Sequence, residues 1–180
     1  MKLMMNSINP NTKRIIFIVG PTAVGKTTIG IELAKEFNTE IISCDSRQFY
    51  KELKIGTAPP TKDELEMVKH HFIQNLSINK DYNAGKFEID VIKIIEELHK
   101  KNDVIIVVGG SGLYVDAICK GFDEMPLISK EIRQHIKLNY EEKGLEWLQR
   151  EVNKVDPNFY SANDIKNSQR LIRALEVFKE

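Results

Sequence analysis

Two cysteines, Cys44 and Cys119, and one tryptophan, Trp147, are all that this 180-residue chain holds of its rarest residues. Two cysteines are too few for a disulfide framework, and their separation does not match metal-ligand spacing. Both are therefore expected to be ordinary buried thiols. No apolar run approaches the ~20 residues that cross a bilayer. The polar start, Met1 to Arg14, lacks a signal-peptide core. The chain is accordingly expected to be cytosolic (cytoplasmic), with no membrane role. Neither sign of charge dominates, because 26 Lys and Arg balance 26 Asp and Glu. That balance excludes a protein that coats nucleic acid through bulk charge, but it leaves room for a local basic patch. Internal repeats and low-complexity tracts are also missing, which removes repeat architectures.

What remains has the composition of a soluble core, with 42% hydrophobic and 29% charged residues. Ile15 to Val19 is short, apolar and β-branched, and Gly20-Pro21 ends it. Val104 to Val108 is the most apolar run and is expected to be a central strand. Runs of that kind fit strands covered on both faces, as in a parallel sheet. Between them lie a helix with Ile29, Leu33, Ala34 and Phe37 on one face, and a strand over Glu40 to Cys44. A short helix at Asp63 to Lys69, an extended piece at His71 to Ile73 and a helix over Phe87 to Lys101 follow. Another helix begins near Leu113. Strand and helix in alternation predict an α/β fold, a P-loop NTPase-like parallel sheet flanked by helices. Beyond Met125-Pro126 no strand-like run appears. Ile132 and Ile136, then Leu145, Leu148 and Val152, then Leu171, Leu175 and Phe178 mark three helices, with a break at Asp156-Pro157. A boundary is placed there, with an α/β core over 1–125 and a helical segment over 126–180.

Gly20-Pro21-Thr22-Ala23-Val24-Gly25-Lys26-Thr27 matches G-x-x-x-x-G-K-[ST] at every fixed position, between a buried strand and a helix. The spacing has a physical reason. The glycines let the backbone turn tightly and aim its N–H groups at one point, and the helix adds the partial positive charge of its N-terminus. Lys26 supplies a full charge to terminal phosphate oxygens, and the Thr27 hydroxyl is placed to ligate a bridging Mg²⁺. The loop specifies a diphosphate or triphosphate with Mg²⁺, and it does not by itself specify a reaction.

Ligands of an open parallel sheet lie outside the carboxyl ends of its strands. Two further ends carry polar chemistry, Asp45-Ser46-Arg47-Gln48-Phe49-Tyr50 and Gly109-Gly110-Ser111-Gly112-Leu113-Tyr114. Asp45 has three readings: a Mg²⁺ ligand, a base that takes a proton from an incoming nucleophile, or a turn or cap aspartate. Ser111 is either a donor to a phosphate or leaving oxygen or a cap for the next helix. His70 and His71 are adjacent, so in an extended segment their side chains diverge and make a poor metal pair. Tyr114 and Phe122 are expected in the core rather than along a ligand channel. Trp147 is expected between helices.

Several segments, in order, resemble one family. They are the 20–27 loop, Asp45-Ser-Arg-Gln-Phe-Tyr50, Gly56-Thr-Ala-Pro-Pro60, His70-His-Phe72, Gly109-Gly-Ser-Gly-Leu-Tyr114 and Gln169-Arg-Leu-Ile-Arg-Ala-Leu-Glu-Val177. The set is similar to the tRNA dimethylallyltransferases, also called tRNA isopentenyltransferases, over nearly the whole chain. The resemblance implies transfer of a dimethylallyl group from dimethylallyl diphosphate to the N6 amine of the adenine 3′ of the anticodon. It implies Mg²⁺ as cofactor, a tRNA anticodon stem-loop as partner, and a monomer. The diphosphate would occupy the seat that ATP takes in related nucleotide-binding folds, on residues 20–27. Asp45 falls on the family's general base. Ser111 stands where the family usually has threonine, near the oxygen bridging prenyl and diphosphate. Lys26 would steady the departing diphosphate.

Asp45, Ser46, Arg47 and Gln48 match one tRNA-contacting stretch, Arg133 another contact, and Gln169, Arg170, Leu171, Ile172 and Arg173 a third. The target base would leave its stack to reach the pocket. Family members usually continue past the position of Glu180. The 180-residue chain is therefore expected to bind phosphate better than it catalyses. Two other functions use the same residues. One is a small kinase moving a phosphoryl group from ATP with Asp45 as base. The other is a non-catalytic phosphate- or RNA-binding module.

Overall fold

The computed structural model describes residues 12–123 and 125–180, so residues 1–11 of the polar start lie outside the described residues. The chain divides into two compact units, Met1–Phe122 and Asp123–Glu180, a few residues before the boundary placed from composition.

The first unit is a four-stranded parallel sheet in the order β1-β4-β2-β3. Its strands are β1 (Arg14–Val19), β2 (Ile41–Ser43), β3 (His70–His71) and β4 (Val104–Gly109). Helices α1 (Lys26–Glu36), α2 (Lys62–Met67), α3 (Ala84–His99) and α4 (Gly112–Cys119) connect and cover them. The parallel α/β class expected from the sequence is the class observed. β4 explains its own composition. Ile105 and Val107 pack into one core with Phe87, Val91 and Leu98 of α3, whereas Ile106 and Val108 pack into a second with Ile31 and Ala34 of α1. Successive side chains point to opposite faces, and both faces are covered, so every position is apolar.

Helix α1 differs from its expected face. Ala34 is buried, with Leu33 and Phe37 packed against the same core as expected, but Ile29 is 49% exposed and Gly30 and Ile31 are buried instead. Gly30 is the contact that sets the helix on the sheet. A Cβ at that position would sit 2.7 Å from Val108 Cγ2, so a side chain there would push α1 away from β4. The extended piece expected at His71 to Ile73 is shorter and begins earlier. It pairs only at His70 and His71, and Phe72 turns away at φ 61. Helix α3 begins three residues sooner than expected because Asn83 caps it, its side chain accepting from Lys86 N at 3.0 Å. Cys44 is buried as expected. Cys119 is exposed, because α4 turns Ala117 and not its last residue toward the core.

The second unit is helical. α5 (Lys130–Val155) is interrupted at Gly144 (φ 71, ψ −171), so it is two helices, as its two apolar clusters imply. The break at Asp156-Pro157 opens a further short helix, α6 (Pro157–Ala162). Asp156 caps it and Pro157 occupies the first turn, where a missing N–H costs nothing. α7 (Ser168–Lys179) closes the unit. Ile136, Leu148, Val152, Leu171 and Leu175 form its core, with Trp147 packed beside them. Phe178, expected in the α7 stripe, is 58% exposed, and Glu176 is buried at 6%.

Candidate active site

The parallel register gathers the chemistry. Val19 of β1 pairs with Gly109 of β4, and Ser43 of β2 pairs with Val108. The loops leaving β1, β2 and β4 therefore emerge side by side. Gly109 makes the approach possible, since a Cβ on it would lie 2.6 Å from both the carbonyl carbon and the Sγ of Cys44.

The phosphate loop has the geometry its motif implies. Gly25 is the N-cap of α1 in the left-handed conformation, φ 86 and ψ 13, which glycine adopts without the steric cost a Cβ brings. No side chain caps α1 and no acidic residue stands in its first turn. Its first N–H groups and the positive end of its dipole are thus left for an anion. Ala23 also holds a left-handed φ of 66, a strained conformation for a residue with a Cβ. Lys26 Nζ donates to the Pro21 carbonyl across the loop.

Thr22, Ala23, Gly25, Lys26 and Thr27 line one cavity of about 260 Å³ together with Asp45. Gly20 and Pro21 border a separate groove with Gly110, Gly112 and Val115. Val24 is 57% exposed and lines neither of these two cavities.

Asp45 is 7% exposed. Its Oδ1 accepts from Arg47 N at 3.1 Å, with Arg47 Nε 3.9 Å away. Oδ2 makes no hydrogen bond among the described residues. Asp45 is thus both a turn aspartate, through Oδ1, and a cavity carboxylate. Arg47 Nη2 also reaches Thr22 Oγ1 at 3.4 Å, tying this loop to the phosphate loop. Beneath the loop, Phe49 is fully buried among Phe72, Phe87, Tyr82 and Tyr114, with ring centroids 5.3–5.9 Å away. That anchor fixes Asp45 from below. It also places Tyr114 in the aromatic core, and Phe122 packs against the same core. Burial pushes the Cys44 thiol up to about 12, and the Asp45 charge adds to the effect, so the thiol beneath the site stays protonated.

Ser111 is the N-cap residue of α4 but makes no side-chain cap bond. Its Oγ instead accepts from Ser46 N at 3.0 Å and lies 3.1 Å from Ser46 Oγ. Ser111 does not itself line the 260 Å³ cavity; it is joined to the residue next to Asp45. Gln48 is also occupied. Its Nε2 donates to the Thr57 and Ala58 carbonyls at 3.0 and 2.9 Å. It thereby holds the 57–60 loop as a cavity wall, with Ala58, Pro59, Pro60, His70 and Ile73 on that side. The sequence carries no signal of a role for this Gly56-Thr-Ala-Pro-Pro60 run beyond the family resemblance.

His70 and His71 diverge as expected. His71 Nε2 meets Glu40 Oε2 at 2.5 Å, and Lys69 Nζ lies 3.0 Å from the same oxygen. Burial acts to raise the Glu40 carboxyl, but hydrogen bonds from Lys69 and His71 outweigh it and hold the group below its ordinary value. His70 Nδ1 donates to the Val68 carbonyl at 2.8 Å, while its Nε2 is buried without a partner. Burial lowers the His70 pKa below the usual 6.5. The unfolded chain therefore takes up this proton first, and stability falls as pH drops through 6.5 toward the lower folded value. His70→Gln should remove that part. Its thermal midpoint should fall less than the parent's between about pH 7.5 and about pH 5.5. Equal falls would show that His70 is not the titrating group.

In the helical unit, Arg133 Nε lies 3.4 Å from Glu176 Oε1, and Arg173 Nη1 donates to Glu176 Oε2 at 3.3 Å. Gln169 and Arg170 are exposed. Leu171 departs from its expected role as a contact residue. Its side chain is fully buried in the unit's core, with Ile172 packed against that core, so Leu171 supports the surface instead of forming it. No group of three or more His, Cys, Asp or Glu capable of holding a metal occurs among the described residues. No helix among them is long and apolar enough to cross a membrane.

A left-handed glycine turn, an uncapped helix N-terminus, a lysine and a threonine at the edge of a parallel sheet define a P-loop-like α/β fold. The family is fixed by comparison. The IPP transferase family model matches residues 48–180, and the chain belongs to that family. It is 50% identical over 171 residues to a tRNA dimethylallyltransferase of Flavobacterium johnsoniae, covering 92% of this chain and 55% of the relative. A second, from Christiangramia forsetii, is 52% identical over 163 residues, covering 91% and 54%. Among solved structures, a eukaryotic dimethylallyltransferase acting on tRNA superposes with a TM-score of 0.75 at 30% identity, covering 93% of this chain and 41% of that one. A tRNA isopentenylpyrophosphate transferase from Bacillus halodurans superposes at 0.60 with 35% identity, covering 93% and 56%. The chain spans about half the length of the curated relatives it matches.

Proposed function

We propose that this chain carries the diphosphate-binding and acceptor-activating portion of a tRNA dimethylallyltransferase, working in the cytoplasm. The reaction is transfer of a dimethylallyl group from dimethylallyl diphosphate to the N6 amine of the adenine 3′ of the anticodon. One observation carries the proposal: the phosphate-loop residues Lys26 and Thr27 line the same cavity of about 260 Å³ as the buried carboxylate of Asp45.

N6 attacks C1 of the dimethylallyl group, the C1–O bond breaks, and the diphosphate leaves with the electron pair. An exocyclic adenine amine is a weak nucleophile, so removal of its proton to Asp45 Oδ2 assists the attack. Arg47 N and Nε engage Oδ1, which leaves Oδ2 as the oxygen to take that proton. Lys26 and the N–H groups at the start of α1 stabilise the leaving charge. The Ser111 hydroxyl, steadied by Ser46, is the donor for the bridging oxygen. Hard oxygen donors in one cavity, the Thr27 hydroxyl beside phosphate oxygens, suit Mg²⁺. Such an ion would neutralise developing charge on the diphosphate. The RNA would be held by Ser46 and Arg47 beside the cavity and by Arg133, Gln169, Arg170 and Arg173 of the helical unit.

The donor separates this function from a kinase. With Mg²⁺ present, dimethylallyl diphosphate should raise the thermal midpoint of the chain at lower concentration than ATP does. Protection by ATP alone would sink the prenyl-transfer assignment and favour phosphoryl transfer.

A further inference from the structure

Glu176 is the one buried acid of α7, and nothing in its apolar stripe accounts for it. Its carboxylate is 6% exposed. Each of its oxygens takes a different arginine from a different helix, Oε1 facing Arg133 of α5 and Oε2 facing Arg173 of α7. The arginines themselves reach solvent, with side-chain exposures of 60% and 43%. A guanidinium has five N–H donors in a rigid fork. Arg133 engages the carboxylate through Nε, which leaves both of its terminal amino groups for another partner, and Arg173 engages it through Nη1, which leaves Nε and Nη2. The cluster carries a net charge of about +1, one carboxylate against two guanidiniums that cannot lose their protons. Its frame is tied elsewhere too. Glu180, one turn further along α7, accepts from Ser129 N at 2.9 Å at the start of α5, so the end of one helix is fixed against the beginning of the other.

We infer, resting on the RNA substrate proposed above, that Glu176 is a positioning residue for RNA. It holds Arg133 and Arg173 as a paired fork whose remaining N–H groups take phosphate oxygens of the stem-loop. Ordering two long side chains before the ligand arrives removes that entropy cost from the binding step. Bidentate guanidinium contacts gain most from fixed geometry.

The test has a sign that charge alone would reverse. Glu176→Gln raises the local charge by one, so a purely electrostatic surface would bind RNA more tightly. A glutamine amide keeps an acceptor oxygen toward one guanidinium but turns its NH₂, a donor, toward the other, so it cannot hold both as the carboxylate does. Positioning therefore predicts that Glu176→Gln weakens binding of an unmodified anticodon stem-loop RNA by about tenfold. It also predicts that the same change has no further effect in an Arg133→Ala/Arg173→Ala background. Unchanged or tighter binding by a folded Glu176→Gln chain would overturn the inference and leave the RNA substrate standing. Failure of the unaltered, folded chain to bind the stem-loop would overturn both. If Glu176→Gln does not fold, the arginine Nε–H resonances of the unaltered chain decide. Slowly exchanging Arg133 and Arg173 signals that shift on adding RNA support the fork, and averaged signals overturn it.

Discussion

Asp45→Asn should lower prenyl transfer by about 10²–10⁴-fold while leaving binding of dimethylallyl diphosphate and stem-loop RNA nearly unchanged. The substitution suits the question because asparagine keeps the shape and keeps an oxygen for Arg47 N, so the turn that places the residue survives. What it removes is the proton acceptor at Oδ2. Asp45 is 7% exposed and sits above the fully buried Phe49, so the loop has little freedom to substitute another base. The assay is best run on the chain completed with the part of the Flavobacterium johnsoniae relative that the match does not cover, since the chain spans 55% of that relative. Loss of rate with retained binding assigns Asp45 to proton transfer. Equal loss of rate and of diphosphate affinity would make it a ligand-binding residue instead.

Gly109→Ala should abolish or severely weaken folding of the sheet unit. The added methyl would meet the Cys44 carbonyl carbon and Sγ at 2.6 Å and the Cys44 oxygen at 2.8 Å. Non-bonded carbons ordinarily rest about 3.5–4.0 Å apart. Two of the obstructing atoms are backbone, and β4 is paired on both sides, to β1 and to β2, so no rotamer change relieves the clash. Overpacking usually costs about 1–3 kcal/mol, and a backbone clash in a central strand belongs at or above the top of that range. At a few degrees per kcal/mol, the thermal midpoint should drop by about 10 °C or more. Gly112→Ala is the matched control. A Cβ there meets nothing within 4 Å, and alanine in a helix is favoured over glycine by about 1 kcal/mol. A Gly109→Ala chain that melts with its parent would show that the strand ends are not held as close as described.

The features legible in the sequence were those encoded locally. The phosphate loop is read from fixed residues at fixed spacing, and its left-handed Gly25 and uncapped helix start are local consequences of that spacing. β4 was legible because coverage on both faces leaves an uninterrupted apolar run. What escaped depended on distant partners. Glycine carries no hydropathy signal, so the expected α1 face includes Ile29 and leaves out Gly30, the residue pressed against Val108. The Ser111 partner, Ser46, sits on another strand's loop, so no local pattern announces it. Glu176 looks like a surface acid on an amphipathic helix, and only the fold brings Arg133 to it. The 57–60 wall of the cavity is irregular backbone held by the Gln48 amide, and such a wall has no periodicity to read.

The central claim is tested most directly by the product. The chain, alone and joined to the part of the Flavobacterium johnsoniae relative that the match does not cover, would be incubated with Mg²⁺, labelled dimethylallyl diphosphate and an unmodified anticodon stem-loop RNA. The RNA would then be digested and its nucleosides identified by mass. The account predicts a dimethylallyl group on N6 of the adenosine 3′ of the anticodon, made by the joined chain and lost with Asp45→Asn. A folded, joined chain that leaves this adenosine unmodified and instead transfers phosphate from ATP would contradict it.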